Sequence, residues 1–329
     1  METGLDSIDG RLLNRIQAQF PLKSEPFAVL GRALGISGED VVHRIQGMKN
    51  QGIVRLISPV FNARALGYKT TLVAARVRES QLDTAAETIS EHPGVSHCYQ
   101  RDHRFNLWST LSVSGEVDME AELERLRNLM GAEVVFDLPT LRAYKIGAYF
   151  DASGGECPIP DNNGGHGSFP RGNAELSHAD RVLINELQQD LPLVQRPFDE
   201  VSARLGMETD EFLAQCRSLL QRGIMRRYGA SINHRAVGYT ANAMVCWIAS
   251  LDKVRVAAKM LAGLTAVSHC YERKINPLWP YNLFCMVHSH TNEACEAVAD
   301  KVSRETGLKD NVLLFSVKEY KKVRVNYLV

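Results

Sequence analysis

The sequence has 329 residues, 45% of them hydrophobic and 23% charged, with 38 basic and 38 acidic side chains. A chain of this length buries more than one core, so two or more domains are expected. A formal net charge of +0 argues against a whole-molecule electrostatic hold on nucleic acid or anionic lipid, while leaving local patches open.

The first fifty residues contain three helical patterns: "SIDGRLLNRIQAQ", "EPFAVLGRALG" and "SGEDVVHRIQGMKNQG". In the second, Phe27, Leu30 and Leu34 recur at helical spacing and Gly35 stops the run. Ser37 is placed to cap the third helix, which carries acidic residues in its first turn. "IVRLISPVF" then alternates like a strand, so residues 1–60 read as a winged helix-turn-helix. Residues 61–150 read β-α-β-β-α-β, a ferredoxin-like unit of four antiparallel strands with two helices on one face. The Gly, Pro, Asn and Ser of 151–175 read as a flexible linker. His166 and Cys157 within it are too few to suggest a metal site.

After the linker the pattern repeats. "DGRLLNRIQAQFPL" from Asp9 aligns with "DRVLINELQQDLPL" from Asp180, and the frame holds without a gap to Gly67-Tyr68 and Gly238-Tyr239. "VSHCYQR" at 95–101 matches "VSHCYER" at 267–273, and "FNLWSTLSV" at 105–113 matches "YNLFCMVHS" at 281–289. The loop between these last two words grew in the second copy, by "KINPLWP" or part of it. Residues 176–231 are therefore a second winged helix-turn-helix and 232–329 a second ferredoxin-like unit. Strands are expected at 242–250, 267–274, 281–289 and 312–320, and helices at 253–264 and 292–307. The overall fold class is α+β. Each sheet has one uncovered face, and packing sheet against sheet would cover both.

Residues 1–10 lack the basic and apolar regions of a signal peptide, and no run of about eighteen apolar residues marks a membrane span. The seven cysteines are odd in number, form no Cys-x-x-Cys pair and sit largely in apolar runs. A reducing cytoplasm is the simplest compartment, with no membrane contact expected.

A helix-turn-helix followed by a ferredoxin-like domain resembles the Lrp/AsnC regulators. The words "GASINHRAVGY", "VSHCYER" and "WPYNLFCMVH" narrow the resemblance to the siroheme decarboxylases, an offshoot of that superfamily. Many of these are heterodimers of two related subunits, and this chain resembles such a pair fused head to tail. The resemblance implies removal of the two acetate carboxyl groups of siroheme to give 12,18-didecarboxysiroheme, in heme d1 or alternative heme biosynthesis. It implies no cofactor beyond the iron of the siroheme substrate and no protein metal site. It also implies an intramolecular pseudo-dimer, with related decarboxylase subunits as further partners to consider.

The residue chemistry fits that substrate. Siroheme is a flat macrocycle edged with carboxylates, so its site needs cations and an apolar or aromatic slot. Arg is the best carboxylate partner because its fork engages two oxygens. Arg101, Arg104 and Arg273 are the candidate binding cations, with Tyr99, Trp108, Tyr271, Trp279 and Tyr281 facing the ring. Loss of CO₂ leaves a carbanion-like methylene, which a nearby acid must protonate, and His suits that task. His234 and Arg235 of "NHR", with His269 and His97, are the candidate catalytic residues. Copy one has Ala63 where copy two has His234, as expected for specialised halves. The bland alternative for His234 is a structural role at its junction.

His97, Tyr99 and Arg101 share one strand face at period two, as do His269, Tyr271 and Arg273. A hydrogen-bonded interface is the bland alternative for both sets. Cys98, Cys270 and Trp247 read as core, and His288 and His290 as solvated. The competing function is an Lrp/AsnC-like regulator that senses a ligand such as heme; a heme chaperone or sensor without turnover is a third. Acidic residues open both recognition-helix segments, "SGEDVVHR" and "METDEFLAQCRS", so no specific DNA binding is expected.

Overall fold

The computed structural model describes residues 4–147, 149–152 and 175–329. The expected linker at 151–175, with Cys157 and His166, lies almost wholly outside the described residues. The chain forms two compact units, and each gathers like domains from both copies. Of the described residues, unit one contains 4–66, 149–152, 175–238 and 327–329, and unit two contains 67–147 and 239–326.

Unit one holds two three-helix sets. Copy one supplies α1 (Ser7–Ala18), α2 (Pro26–Leu34) and α3 (Gly38–Asn50), followed by strand β1 (Val54–Phe61). Copy two supplies α6 (His178–Leu187), α7 (Pro197–Arg204), α8 (Thr209–Gln221) and β6 (Met225–Ile232). Ser37 caps α3 in a capping box with Asp40, and Gly35 ends α2 with φ +75°, a conformation that favours glycine. Neither copy builds a wing hairpin of its own: β1 pairs antiparallel with β6, so each strand finds its partner in the other copy. The ring chain Phe27–Phe20–Tyr228–Phe198–Phe212, with centroids 5.5–5.9 Å apart, continues the core from one helix set to the other.

The repeated Asn and Gln of α1 and of α6 with its C-cap each hold a segment that follows a ferredoxin-like domain. Gln17 exchanges hydrogen bonds with the backbone of Phe150, and Asn14 bonds Asp151 and Ala152. Gln188 does the same with Tyr327, and Asn185 with Val329.

Unit two is a closed eight-stranded barrel. Copy one gives β2 (Tyr68–Arg76), α4 (Leu82–Glu91), β3 (Val95–Arg101), β4 (Leu107–Ser114), α5 (Met119–Met130) and β5 (Val134–Ile146). Copy two gives β7 (Ala241–Trp247), α9 (Leu251–Gly263), β8 (Val267–Arg273), β9 (Leu283–Ser289), α10 (Asn292–Thr306) and β10 (Asn311–Lys322). The order around the barrel is β10-β3-β4-β2-β5-β8-β9-β7. The sheets face one another as expected, but their edges also join. β5 pairs with β2 through Pro139 and with β8 from Thr140 onward. β10 likewise pairs with β7 through Phe315 and with β3 from Ser316. Two long strands thus remove the sheet edges that a stacked pair would leave open.

Alternation sorts the side chains. Cys98, Leu107 and Leu111 pack under α4 and α5, while Trp247, Cys270 and Cys285 pack under α9 and α10. The barrel interior holds Leu72, Trp108, Phe136, Met244, Trp279 and Phe284. The repeated Asn of "NL" locks a strand end in each copy: Asn106 bonds the backbone of Val77, and Asn282 that of Ala249.

Candidate functional site

β3 and β8 stand on opposite walls of the barrel, separated by three strands in either direction. Each carries the same inward series. On β3 the His97 and Tyr99 rings stack with centroids 6.4 Å apart, and the Arg101 guanidinium lies 5.1 Å from the Tyr99 centroid. On β8 the His269–Tyr271 distance is 6.0 Å, and Arg273 lies 4.8 Å from the Tyr271 ring. The histidines and tyrosines are half-buried. Period two therefore assembles the six residues as the sequence predicts, in two opposed sets.

The arginines are deeply placed, Arg101 4% and Arg273 9% exposed. Arg101 Nη1 donates to the Leu314 carbonyl at 3.1 Å and to Asn242 Oδ1 at 3.3 Å. Arg273 Nη1 donates to the Leu138 carbonyl at 2.9 Å and to Thr140 Oγ1 at 3.0 Å. Each Nε is buried and lacks an acceptor, and among the described residues no carboxylate pairs with either guanidinium. Burial pulls both down to about 10, so they remain cations at neutral pH. A desolvated cation without a counter-charge is costly and ready to receive an anion.

The aromatic candidates divide. Trp279 comes from the enlarged loop of copy two and enters the barrel core, 5.0 Å from Trp108 at an interplanar angle of 68°. Both indoles are at most 2% exposed, so they form packed core where the sequence suggested an open slot. The Trp108 N–H donates to the Phe105 carbonyl, while that of Trp279 is buried without an acceptor. Tyr281 is half-buried against Trp279 at 4.9 Å. Arg104 is exposed and lies over Phe105.

His234 and Arg235 belong to unit one. A short 3-10 turn, His234–Val237, follows β6 and is capped by Asn233. His234 is 1% exposed and stacks on Phe150 at 5.4 Å, while Arg235 is exposed. His234 is expected from its sequence to be catalytic, whereas its enclosure against the clamped 149–152 segment favours the structural alternative.

Two inward residues escaped the sequence reading. His288, expected in solvent, is 7% exposed, and its Nε2 lies 3.0 Å from Ser268 Oγ. The alternation Phe284, Met286, His288 on β9 would have placed it inward, opposite the helix-facing Leu283, Cys285 and Val287. Glu319 of β10 accepts from the Tyr99 hydroxyl at 3.1 Å, and no local pattern announces that pair because β10 comes from the other copy. His290 is exposed as expected, and burial pushes the Cys98 thiol up to about 11, in keeping with an inert core residue.

Among the described residues no helix is long and apolar enough to cross a membrane. A family model for the AsnC-like ligand binding domain matches residues 65–145 and 236–321. Another, for the siroheme decarboxylase NirDL-like HTH domain, matches 9–55 and 180–226. The chain is 36% identical to the siroheme decarboxylase of Hydrogenobacter thermophilus over 96% of this chain and 94% of that one. It is 41% identical to the siroheme decarboxylase beta subunit of Methanosarcina barkeri, over 46% of this chain and 99% of the subunit. The crystal structure of the siroheme decarboxylase NirDL in co-complex with an iron-uroporphyrin III analogue superimposes with a TM-score of 0.71 at 32% identity. That match covers 98% of this chain and 95% of that one. Two copies of both domain types, each copy about the length of a separate subunit, place this chain in the siroheme decarboxylase family as a fused two-subunit form.

Proposed function

We propose that this chain removes the two acetate carboxyl groups of siroheme, giving 12,18-didecarboxysiroheme for heme d1 or alternative heme biosynthesis. The observation that carries this reading is the pair of His-Tyr-Arg series on β3 and β8, each ending in a buried cation with no carboxylate partner among the described residues. Arg101 and Arg273 engage carboxylates of the macrocycle, while Tyr99 and Tyr271 offer ring faces and hydroxyls. At each acetate the bond between the methylene and the carboxyl carbon breaks. CO₂ leaves, the electron pair spreads into the macrocycle, and one proton arrives at the methylene carbon to make a methyl group. A histidine on the strand face is the proton donor, since an imidazole can both hold and release a proton. Low polarity around the leaving carboxylate assists, because its charge disperses in the transition state.

The iron belongs to the substrate, and no dedicated cofactor enters the scheme. The chain works as an internal pseudo-dimer in the cytoplasm, without specific DNA binding. Whether further decarboxylase subunits join it is tested by comparing the purified chain alone with a cell extract. The decisive assay is anaerobic incubation of the chain with siroheme and mass analysis of the product. Two successive losses of CO₂ are expected. Tight siroheme binding without any mass change would favour the ligand-sensing regulator.

A further inference from the structure

In both copies a β-bulge interrupts the pairing beside the strand histidine. The register slips between Val95 and His97 on β3, and between Val267 and His269 on β8. A bulge re-aims a side chain, and here it sets a serine beside the imidazole. Ser96 Oγ lies 2.8 Å from His97 Nδ1, and Ser268 Oγ lies 2.9 Å from His269 Nδ1. The copies then diverge. Ser268 Oγ also meets His288 Nε2 at 3.0 Å, with a longer contact to the Met286 carbonyl at 3.4 Å. At the place of His288, copy one has Ser112, whose hydroxyl lies 2.9 Å from Thr70 Oγ1.

One hydroxyl carries a single proton and two lone pairs. Ser268 therefore cannot donate to both imidazoles, and at least one ring must present an N–H to it. The tautomers of His269 and His288 are coupled through Oγ, and the two rings are held in register. His97 has the serine without the second imidazole.

We propose that His288 is a positioning residue that, through Ser268, orients His269 and fixes which of its nitrogens carries the proton, making His269 rather than His97 the histidine that protonates the methylene. When His288 donates through Nε2–H, Ser268 donates to Nδ1 of His269, and the proton of His269 sits on Nε2, away from the serine. The inference rests on the reading of the strand faces as the decarboxylation site.

The test uses His288→Ser, the residue copy one tolerates, with Ser268→Ala as the milder second variant. Single-turnover conversion, siroheme affinity and ¹⁵N shifts of the His269 imidazole are measured on the full chain. Either variant is expected to slow turnover about 10-fold or more, keep affinity within about 2-fold of wild type and move the His269 shifts. The double variant should be no slower than the worse single one, since both break one link. His288→Gln, which retains an N–H donor, should recover part of the rate. Ser96→Ala should slow turnover far less. Wild-type turnover in His288→Ser, unmoved His269 shifts, or an equal loss in Ser96→Ala would each overturn the proposal. His269→Ala and the double variant His97→Ala/His269→Ala separate the two levels: full turnover in His269→Ala alone overturns the choice of His269, whereas full turnover in the double variant makes the strand-face reading itself fail.

Discussion

Arg101 and Arg273 are the residues whose presence the barrel core explains least. They lie among Met, Phe and Tyr side chains, donate to backbone carbonyls and neutral side chains, and keep an unsatisfied Nε. A protein that needed only packing would do better with an apolar side chain, because desolvating an unpaired cation costs several kcal/mol. Arg101→Met should therefore leave the melting temperature unchanged or raised. It should weaken siroheme binding by roughly 10–100-fold, the worth of one charge-assisted hydrogen bond or a little more. A lowered melting temperature with unaltered siroheme affinity would mark Arg101 as structural. These arginines were legible in the sequence because period two ties them to His97, Tyr99, His269 and Tyr271. The depth of their burial was not, since it depends on strands from the other copy closing over them.

Among the elements, the three strand pairs formed across the copies decide what a local reading misses. β1 looks like a wing because it follows three helices, yet its partner β6 lies far along the chain. β5 and β10 change partners midway, and the irregular register where they meet β8 and β3 leaves no trace in hydrophobic periodicity. Loop lengths and alternation sufficed for the helices and for the order of strands within each copy.

His234 belongs to the same scale, since its ring fills the junction after β6 against Phe150, which Gln17 holds in place. His234→Ala should destabilise the fold by about 1–3 kcal/mol, as buried truncations do, and preserve turnover per folded molecule. Sharp loss of turnover with unchanged melting would return His234 to the chemistry. The recognition helices yield another expectation. Glu39 and Asp40 open α3, Asp210 and Glu211 open α8, and Ser37 holds the Asp40 carboxyl below its usual range and ionised. Binding to DNA should accordingly be weak and vanish with added salt in a mobility-shift titration. A sequence-specific footprint at physiological salt would contradict this.

At the scale of the whole molecule, fusion lets two copies share a barrel and diverge. The walls keep His-Tyr-Arg on both β3 and β8, while the differences surround them: His288 against Ser112, Glu319 against Ala143, and Trp279 on a loop that is shorter in copy one. A symmetric sensor would have little use for such differences, whereas an enzyme that must deliver a proton to a chosen carbon does. Anaerobic turnover of siroheme in D₂O, followed by mass and NMR analysis of the product, tests this account most directly. It predicts loss of two CO₂ and one deuteron in each new methyl group. Siroheme recovered with all its carboxyl groups, or new methyl groups without deuterium, would contradict it.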